Sequence, residues 1–144
     1  HGDLDWQSLP KDKLNAAIDV TYQDALAALN YCNPDVVIGS SMGGAILAKL
    51  IAEERWDGPT VFLAPAIDTL LGFDFVLERV PSAVWLLGEF DQIVRNDLNK
   101  ARCLKTGGSL MISPEDGHRL PKALSSGLID CAITTVLELN EVDS

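Results

Sequence analysis

Hydrophobic residues along the chain fall into two alternating patterns. Four short runs of apolar and β-branched residues are too continuous for half-exposed strands, so each predicts a strand that is buried on both faces. These runs are Asp35–Gly39, Thr60–Ala64, Ala83–Gly88 and Ser109–Ser113. Between them, apolar residues recur at steps of three and four, which is the spacing of one face of a helix.

The helical pattern is clearest before the first strand, where apolar residues form one stripe and Asn33-Pro34 marks a stop. Further helices are predicted at Met42–Glu54, at about Asn96–Leu104 and, as one long C-terminal helix, at Leu120–Leu139. This alternation predicts one α/β domain over residues 1–144, with a mostly parallel sheet and flanking helices. The stripe consists of Leu14, Ile18, Tyr22, Ala25, Leu26 and Leu29.

Composition narrows the classes of function. The chain has 21 Asp and Glu against 11 Lys and Arg, a net charge of -10, and its basic residues are scattered. Nucleic acid and anionic membrane surfaces are therefore not expected partners. No apolar run approaches the roughly 20 residues of a membrane span. The three cysteines are widely spaced with no histidine nearby, so we expect reduced thiols, no metal site and a cytoplasmic protein.

Candidate catalytic residues lie directly after the predicted strands. Ligands of parallel α/β sheets bind beyond the carboxyl ends of the strands. The segments that follow the four strands contain a serine, two candidate aspartates and a histidine. These segments are Gly39–Gly44, Pro65–Asp68, Glu89–Asp91 and Pro114–His118.

The segment Gly39-Ser40-Ser41-Met42-Gly43 matches the pattern G-x-S-x-G between a strand and a helix, which predicts a nucleophilic serine on a tight turn. Ser41 is the central residue. Gly39 and Gly43 are expected to let the strand and the helix approach closely, and Gly44 adds room. The N–H of Met42, at the start of the helix, is a candidate donor to an oxyanion.

A nucleophilic serine needs a base, and the chain contains only two histidines, His1 and His118. His118 follows the last predicted strand, which is where the base of a Ser-His-Asp triad belongs. Asp91, after the preceding strand, is the favoured carboxylate partner. Asp68, one strand earlier, is the alternative.

Two acidic residues, Glu115 and Asp116, lie just before His118. They are close to the histidine in sequence, so neither is expected to orient its ring. We expect both only to solvate the loop.

The chain order Ser41, Asp91, His118 is that of the α/β-hydrolase superfamily, and the sequence resembles that family from about residue 15 to residue 142. The resemblance is most specific in VVIGSSMGG, VWLLGEFDQIV and EDGHRL. It implies a cofactor-free serine hydrolase that cleaves small carboxylic esters or thioesters through an acyl-enzyme on Ser41. In that mechanism His118 takes and returns the proton, and Asp91 orients His118.

The N-terminal region departs from the family pattern, because family members usually carry several strands before the nucleophile strand. One of those strands ends in a His-Gly loop that donates a second N–H to the oxyanion. Here His1-Gly2 is either that loop, with the N–H of Gly2 or Asp3 as the donor, or the tail of a tag or cut site. The strand at Val36–Ile38 then becomes a sheet edge, to be covered by an upstream segment, by the same edge of a second copy in a homodimer, or by Leu4–Leu9.

The lid region also departs from the family pattern, since no large lid fits between Pro65 and Ser82. We therefore expect an open, shallow pocket suited to small esters. Leu70, Phe73 and Phe75 either line an acyl pocket or pack a short helix onto the sheet.

A second interpretation belongs to a different class of function. The chain is then an α/β-hydrolase-like interaction or regulatory domain whose triad has weak or no activity. The N-terminal region distinguishes the two, because a complete loop that donates to the oxyanion supports the enzyme.

Overall fold

The structure is a computed structural model that describes residues 8–143. The chain divides into two units, one ending at Asn33 and the other beginning at Pro34. The described part of the first unit contains helix α1 (Lys11–Cys32), which ends where Asn33 takes a left-handed conformation and its N–H donates to the Leu29 carbonyl. All six positions of the predicted apolar stripe are buried or half-buried.

The second unit is built on a parallel four-stranded sheet with the strand order β1-β2-β3-β4. All four strands were predicted, and their bounds agree within a residue or two. Because the strands are parallel and adjacent in sequence order, their carboxyl ends lie along one edge of the unit. The strands are β1 (Val37–Ser40), β2 (Thr60–Leu63), β3 (Ala83–Gly88) and β4 (Ser109–Ser113).

Helices follow each of these strands. They are α2 (Met42–Ala52), α3 (Ile67–Leu71), α4 (Asn96–Thr106), α5 (Pro121–Ser126) and α6 (Leu128–Asp143). The prediction of one long helix over Leu120–Leu139 is wrong, because Gly127 has a φ of 81° and ends α5. Glycine takes this left-handed conformation without steric cost, so it commonly ends helices. No helix within residues 8–143 carries an apolar stretch long enough to cross a bilayer.

The sheet has a core on each face. On one face, Phe62 of β2 and Trp85 of β3 pack with their ring centroids 4.3 Å apart, together with Leu47 of α2 and Cys103 of α4. On the other face, residues of the same two strands pack against α6. That second cluster contains Val61, Val84, Ala132 and Val136. Every residue of β3 is buried, as expected for a strand covered on both faces.

Strand β1 lies at one edge of the sheet, as predicted. Among the described residues it pairs with β2 alone, in a register that sets Val37 opposite Thr60. Ile38, in the middle of the strand, is 41% exposed. The edge of β1 therefore carries backbone groups without a strand partner in the part of the chain that the structure describes.

Candidate active site

Ser41 lies between β1 and α2 with a φ of 53° and a ψ of -115°. A residue with a Cβ in such a sparsely populated region costs about 1–3 kcal/mol, so the surroundings must hold it there. The N–H of Ser41 donates to the Leu63 carbonyl at 3.0 Å, and the Ser41 carbonyl accepts from Gly44 at 3.0 Å and from Ala66 at 2.9 Å. The end of β2 and the first turn of α2 together support the strained turn.

Two glycines allow neighbouring backbone segments to approach one another closely at this turn. A Cβ on Gly39 would lie 2.6 Å from the Gly43 carbonyl oxygen and 2.9 Å from the Gly44 Cα, so Gly39 has the role that was predicted. A Cβ on Gly44 would lie 2.6 Å from the Cβ of Pro65, whereas one on Gly43 would meet nothing within 4 Å. The expectation for Gly43 is therefore wrong, and Gly44 is the second tightly packed position.

The side chains of Ser41, His118 and Asp91 form one chain of hydrogen bonds. Ser41 Oγ lies 2.7 Å from His118 Nε2, and His118 Nδ1 lies 2.8 Å from Asp91 Oδ2. A carboxylate can only accept, so Nδ1 carries the ring proton and Nε2 accepts from the serine hydroxyl. The three segments that follow β1, β3 and β4 thus bring together the residues selected from the sequence.

The carboxyl of Asp91 has no exposed side-chain surface. Its Oδ1 accepts from the N–H of Ile93 at 2.8 Å and from the N–H of Val94 at 3.0 Å. Burial acts to raise the pKa of Asp91, but the hydrogen bonds from His118, Val94 and Ile93 outweigh it and hold this pKa below its ordinary value. Asp91 is therefore ionised at neutral pH, which suits a group that stabilises an imidazolium.

Asp68, the alternative carboxylate, lies elsewhere. Its Oδ1 accepts from Arg102 Nη2 at 2.5 Å, and the side chains of the two residues are only 10% and 12% exposed. Arg102 Nη1 also donates to the Phe75 carbonyl at 2.7 Å. Asp68 is thus half of a mostly buried ion pair that holds the segment after β2, and His118 is paired with Asp91.

Asp116 is buried, with 1% of its surface exposed, and its carboxyl accepts four hydrogen bonds. The expectation that Asp116 only solvates the loop is wrong. Burial acts to raise the pKa of Asp116, but the hydrogen bonds outweigh it and hold this pKa below its ordinary value. Its donors are Ser113 Oγ at 2.8 Å and the N–H groups of Gly117 at 3.2 Å, Lys122 at 3.1 Å and Ala123 at 2.8 Å.

Met42, the candidate oxyanion donor, is the first residue of α2. A backbone N–H at this position has no acceptor within its own helix, so it is available to an anion. Gly2, the candidate for the second donor, lies outside the described residues. No described contact therefore bears on that part of the prediction.

The three residues proposed for an acyl pocket have different surroundings. Leu70 is half-buried in α3, and Phe73 is 75% exposed. Phe75 packs against the core cluster that contains Phe62, and the Arg102 guanidinium lies 5.7 Å from the centre of its ring. The packing alternative thus describes Phe75, and contact of any of the three with a substrate stays a prediction.

A shallow depression, open to solvent, lies between the segment after β2 and the start of α4. Its walls come from residues 65–69 after β2 and from Val94, Arg95 and Asn99. It is linked to the triad through the backbone, because Ala66 donates to the Ser41 carbonyl and Val94 donates to Asp91.

Solved structures show where this fold recurs. A predicted CIB-like hydrolase of Thermoplasma acidophilum matches with a TM-score of 0.63 and 19% identity, over 85% of this chain and 60% of that protein. A protein described as a YdeN-like hydrolase of Pectobacterium atrosepticum matches with a TM-score of 0.66 and 17% identity, over 87% of this chain and 70% of that one. The fold is that of the α/β-hydrolases.

A carboxylesterase of Bacillus cereus shares this α/β-hydrolase fold, with a TM-score of 0.52 and 17% identity over 88% of this chain. This chain spans 59% of that carboxylesterase and 60% of the Thermoplasma protein. No protein-family model matches the sequence, and neither does any curated protein. At these identities the likeness establishes the α/β-hydrolase fold, and the activity has to be argued from the site.

Proposed function

We propose that this protein is a serine hydrolase that cleaves small carboxylic esters or thioesters through an acyl-enzyme on Ser41. The observation that carries the proposal is the continuous chain from Ser41 Oγ to His118 Nε2 at 2.7 Å and from His118 Nδ1 to Asp91 Oδ2 at 2.8 Å. A serine hydroxyl is a weak nucleophile unless a base accepts its proton, and this chain supplies the base together with its orienting carboxylate. The shared fold with a carboxylesterase supports the same class.

Acylation follows from this geometry. Ser41 Oγ attacks the ester carbonyl carbon while its proton passes to His118 Nε2. The negative charge that develops on the carbonyl oxygen is stabilised by the N–H of Met42 at the N-terminus of α2. The protonated ring, stabilised by ionised Asp91, then gives its proton to the leaving alcohol or thiol, and the acyl group remains on Ser41.

Deacylation uses the same groups in reverse order. A water molecule gives a proton to His118 Nε2 and attacks the acyl carbonyl carbon. The bond to Ser41 Oγ breaks, the proton returns to the serine, and the carboxylic acid leaves. No cofactor is required by any of these steps.

Small substrates are favoured by the short connection between β2 and β3. The segment between β2 and β3 contains only the short helix α3. We therefore propose short acyl chains as the preferred substrates.

Labelling with a fluorophosphonate, followed by mass mapping of the modified peptide, tests the proposal. We expect the label on Ser41, and Ser41→Ala should lower short-chain aryl-ester hydrolysis by about a thousandfold or more. Ser40→Ala, the matched control at the neighbouring exposed serine, should leave both readouts unchanged. A label on Ser40, or full activity of Ser41→Ala, would refute the assignment. A wild-type protein that neither labels nor hydrolyses esters would favour the interaction-domain interpretation.

We also propose a cytoplasmic location. All three cysteines, Cys32, Cys103 and Cys131, are free thiols, which fits a reducing compartment. Fractionation of the source cells, with the protein recovered in the cytoplasmic fraction, is the expected result. Recovery from an oxidising compartment would contradict it.

A further inference from the structure

We propose that Asp116 is a positioning residue that sets the separation between His118 and Asp91, an inference that rests on the proposed function and extends it. Asp116 is buried just before His118 in the chain, and its side chain and its backbone join the two loops that carry the Asp–His pair. It acts on the reaction through those loops.

The side chain of Asp116 forms hydrogen bonds along the loop that carries His118. Three of its four donors are backbone N–H groups at residues 117, 122 and 123, and the fourth is the hydroxyl of Ser113 at the end of β4. These donors lie on both sides of His118 in the chain. With 1% of Asp116 exposed, solvent water has little access to compete for these hydrogen bonds. One carboxylate therefore fixes both ends of the histidine loop.

The backbone of Asp116 joins this loop to the one that carries Asp91. The Asp116 carbonyl accepts from the N–H of Phe90 at 2.8 Å, and Phe90 is the residue before Asp91. The two loops touch so closely that a Cβ on Gly88 would lie 2.7 Å from the Asp116 carbonyl oxygen. Movement of Asp116 would therefore change the distance from His118 Nδ1 to Asp91 Oδ2.

An aspartate suits this position better than an asparagine. Two carboxylate oxygens accept all four hydrogen bonds, whereas an amide offers one accepting oxygen and one donating NH₂ group. In an Asp116→Asn variant the new NH₂ group would face a donor whichever way the amide turns. If it takes the place of Oδ2, the N–H of Ala123, a residue with no exposed surface, loses its acceptor. The loop has to shift to relieve that conflict.

The first measurement is kcat for each active site counted by fluorophosphonate titration, together with KM, in Asp116→Asn and Asp116→Ala. We expect kcat per titrated site to fall about 10-fold and about 100-fold, with KM within about twofold, because misplacement of a catalytic group by about 1 Å has effects of this size. Glu115→Gln, at the exposed neighbour, is the matched control and should behave as the wild type. A role in stability alone would lower the number of titrated sites and leave kcat per site unchanged, which would overturn the proposal.

The second measurement is independent of hydrolysis. The proton between His118 Nδ1 and Asp91 should give a low-field signal in the NMR spectrum of the wild-type protein. We expect that signal to shift or disappear in Asp116→Asn while circular dichroism shows a folded chain. An unchanged signal in both Asp116 variants overturns the positioning role, even if the esterase proposal holds. A wild type without Ser41-dependent hydrolysis overturns the esterase proposal, while the NMR signal still decides the role of Asp116.

Ser113→Ala keeps the proposal testable if both Asp116 variants fail to fold. This variant removes one of the four donors, at 2.8 Å from Asp116 Oδ2, and leaves the three backbone donors in place. A smaller fall in kcat per site and a shift of the same proton signal would support the positioning role. A wild-type kcat and an unmoved signal would overturn it.

Discussion

Replacing Asp91 by asparagine exchanges one oxygen for an NH₂ group, and the surroundings of Asp91 decide which one. Oδ1 accepts from two backbone N–H groups, those of Ile93 and Val94, whereas Oδ2 accepts from His118 Nδ1. An NH₂ group beside two donors is unfavourable, so the amide oxygen stays there and the NH₂ faces the histidine. Nδ1 then has to accept, the ring proton moves to Nε2, and Nε2 can no longer take the proton of Ser41.

The structure separates the effect on rate from the effect on stability. Asp91→Asn retains both hydrogen bonds to the backbone, which lie at 2.8 and 3.0 Å, so we expect a loss of about 1–3 kcal/mol in the free energy of unfolding. The wrong tautomer should lower kcat about ten-thousandfold, equivalent to about 5.4 kcal/mol of transition-state stabilisation.

The assay is hydrolysis of a short-chain aryl ester, expressed per active site titrated with a fluorophosphonate. Asp68→Asn is the matched control, because Asp68 also follows a strand but is held by Arg102 at 2.5 Å. We expect Asp68→Asn to lower stability and to leave kcat per site close to the wild-type value. The reasoning is refuted if Asp91→Asn retains more than about a tenth of the wild-type kcat, or if Asp68→Asn has the larger effect.

In urea unfolding, Gly44→Ala should cost about 1–3 kcal/mol, because its Cβ would lie 2.6 Å from the proline after β2, whereas Gly43→Ala should be at least as stable as the wild type. Equal losses would contradict this. Burial raises the pKa of Cys103 to about 11, so iodoacetamide at about pH 8 should modify the two exposed cysteines and spare Cys103 in mass spectra. The pKa of Asp116 in the fold lies below its ordinary 3.8, so its ionised form stabilises the fold above that pH, and this contribution is lost as the pH falls through the folded-state pKa. Thermal melts of Asp116→Asn should therefore lose less stability on acidification than the wild type, and equal losses would argue against it. Alternate residues of β1 pair with β2, which leaves the N–H of Ile38 on the side of β1 that has no strand partner within residues 8–143. We propose that this edge pairs with a second copy and that Ile38→Pro gives a monomer in light scattering, and a wild-type monomer at micromolar concentration would contradict the proposal.

The elements that were predicted correctly depend on local patterns. Four apolar runs became the four strands of the sheet, and the serine, aspartate and histidine follow three of them. The predictions that failed depend on contacts between distant segments or on one backbone angle. Gly127 lies within an apolar pattern that continues on both sides of it, so periodicity could not reveal that its φ of 81° ends α5. Gly43 and Gly44 look equivalent in sequence, and only the neighbouring Pro65 distinguishes them.

The role of Asp116 was missed because a loop carboxylate was expected to be exposed. An acidic residue in a loop is usually solvated, and its burial here depends on donors at residues 122 and 123, which belong to the short helix α5. The predicted long helix already began at Leu120, so residues 122 and 123 lay in its first turn. The N–H groups in the first turn of a helix need acceptors outside the helix. The start of a helix at Pro121 therefore indicated that Asp116 could accept hydrogen bonds from these groups and be buried.

The sequence alone determined the four strands, their order along the chain and the candidates for nucleophile and base. Its hydrophobic periods are local, its G-x-S-x-G turn is a local motif, and His118 is the one histidine that follows a predicted strand. Only the tertiary structure decided which aspartate reaches that histidine, because Asp68 and Asp91 both follow strands of one parallel sheet. Arg102, on α4, pairs with Asp68 at 2.5 Å, while the turn after β3 holds Asp91 2.8 Å from His118 Nδ1. The choice between the favoured Asp91 and the alternative Asp68 thus depends on which cation and which loop the packed helices bring to each, and that is a property of the folded chain.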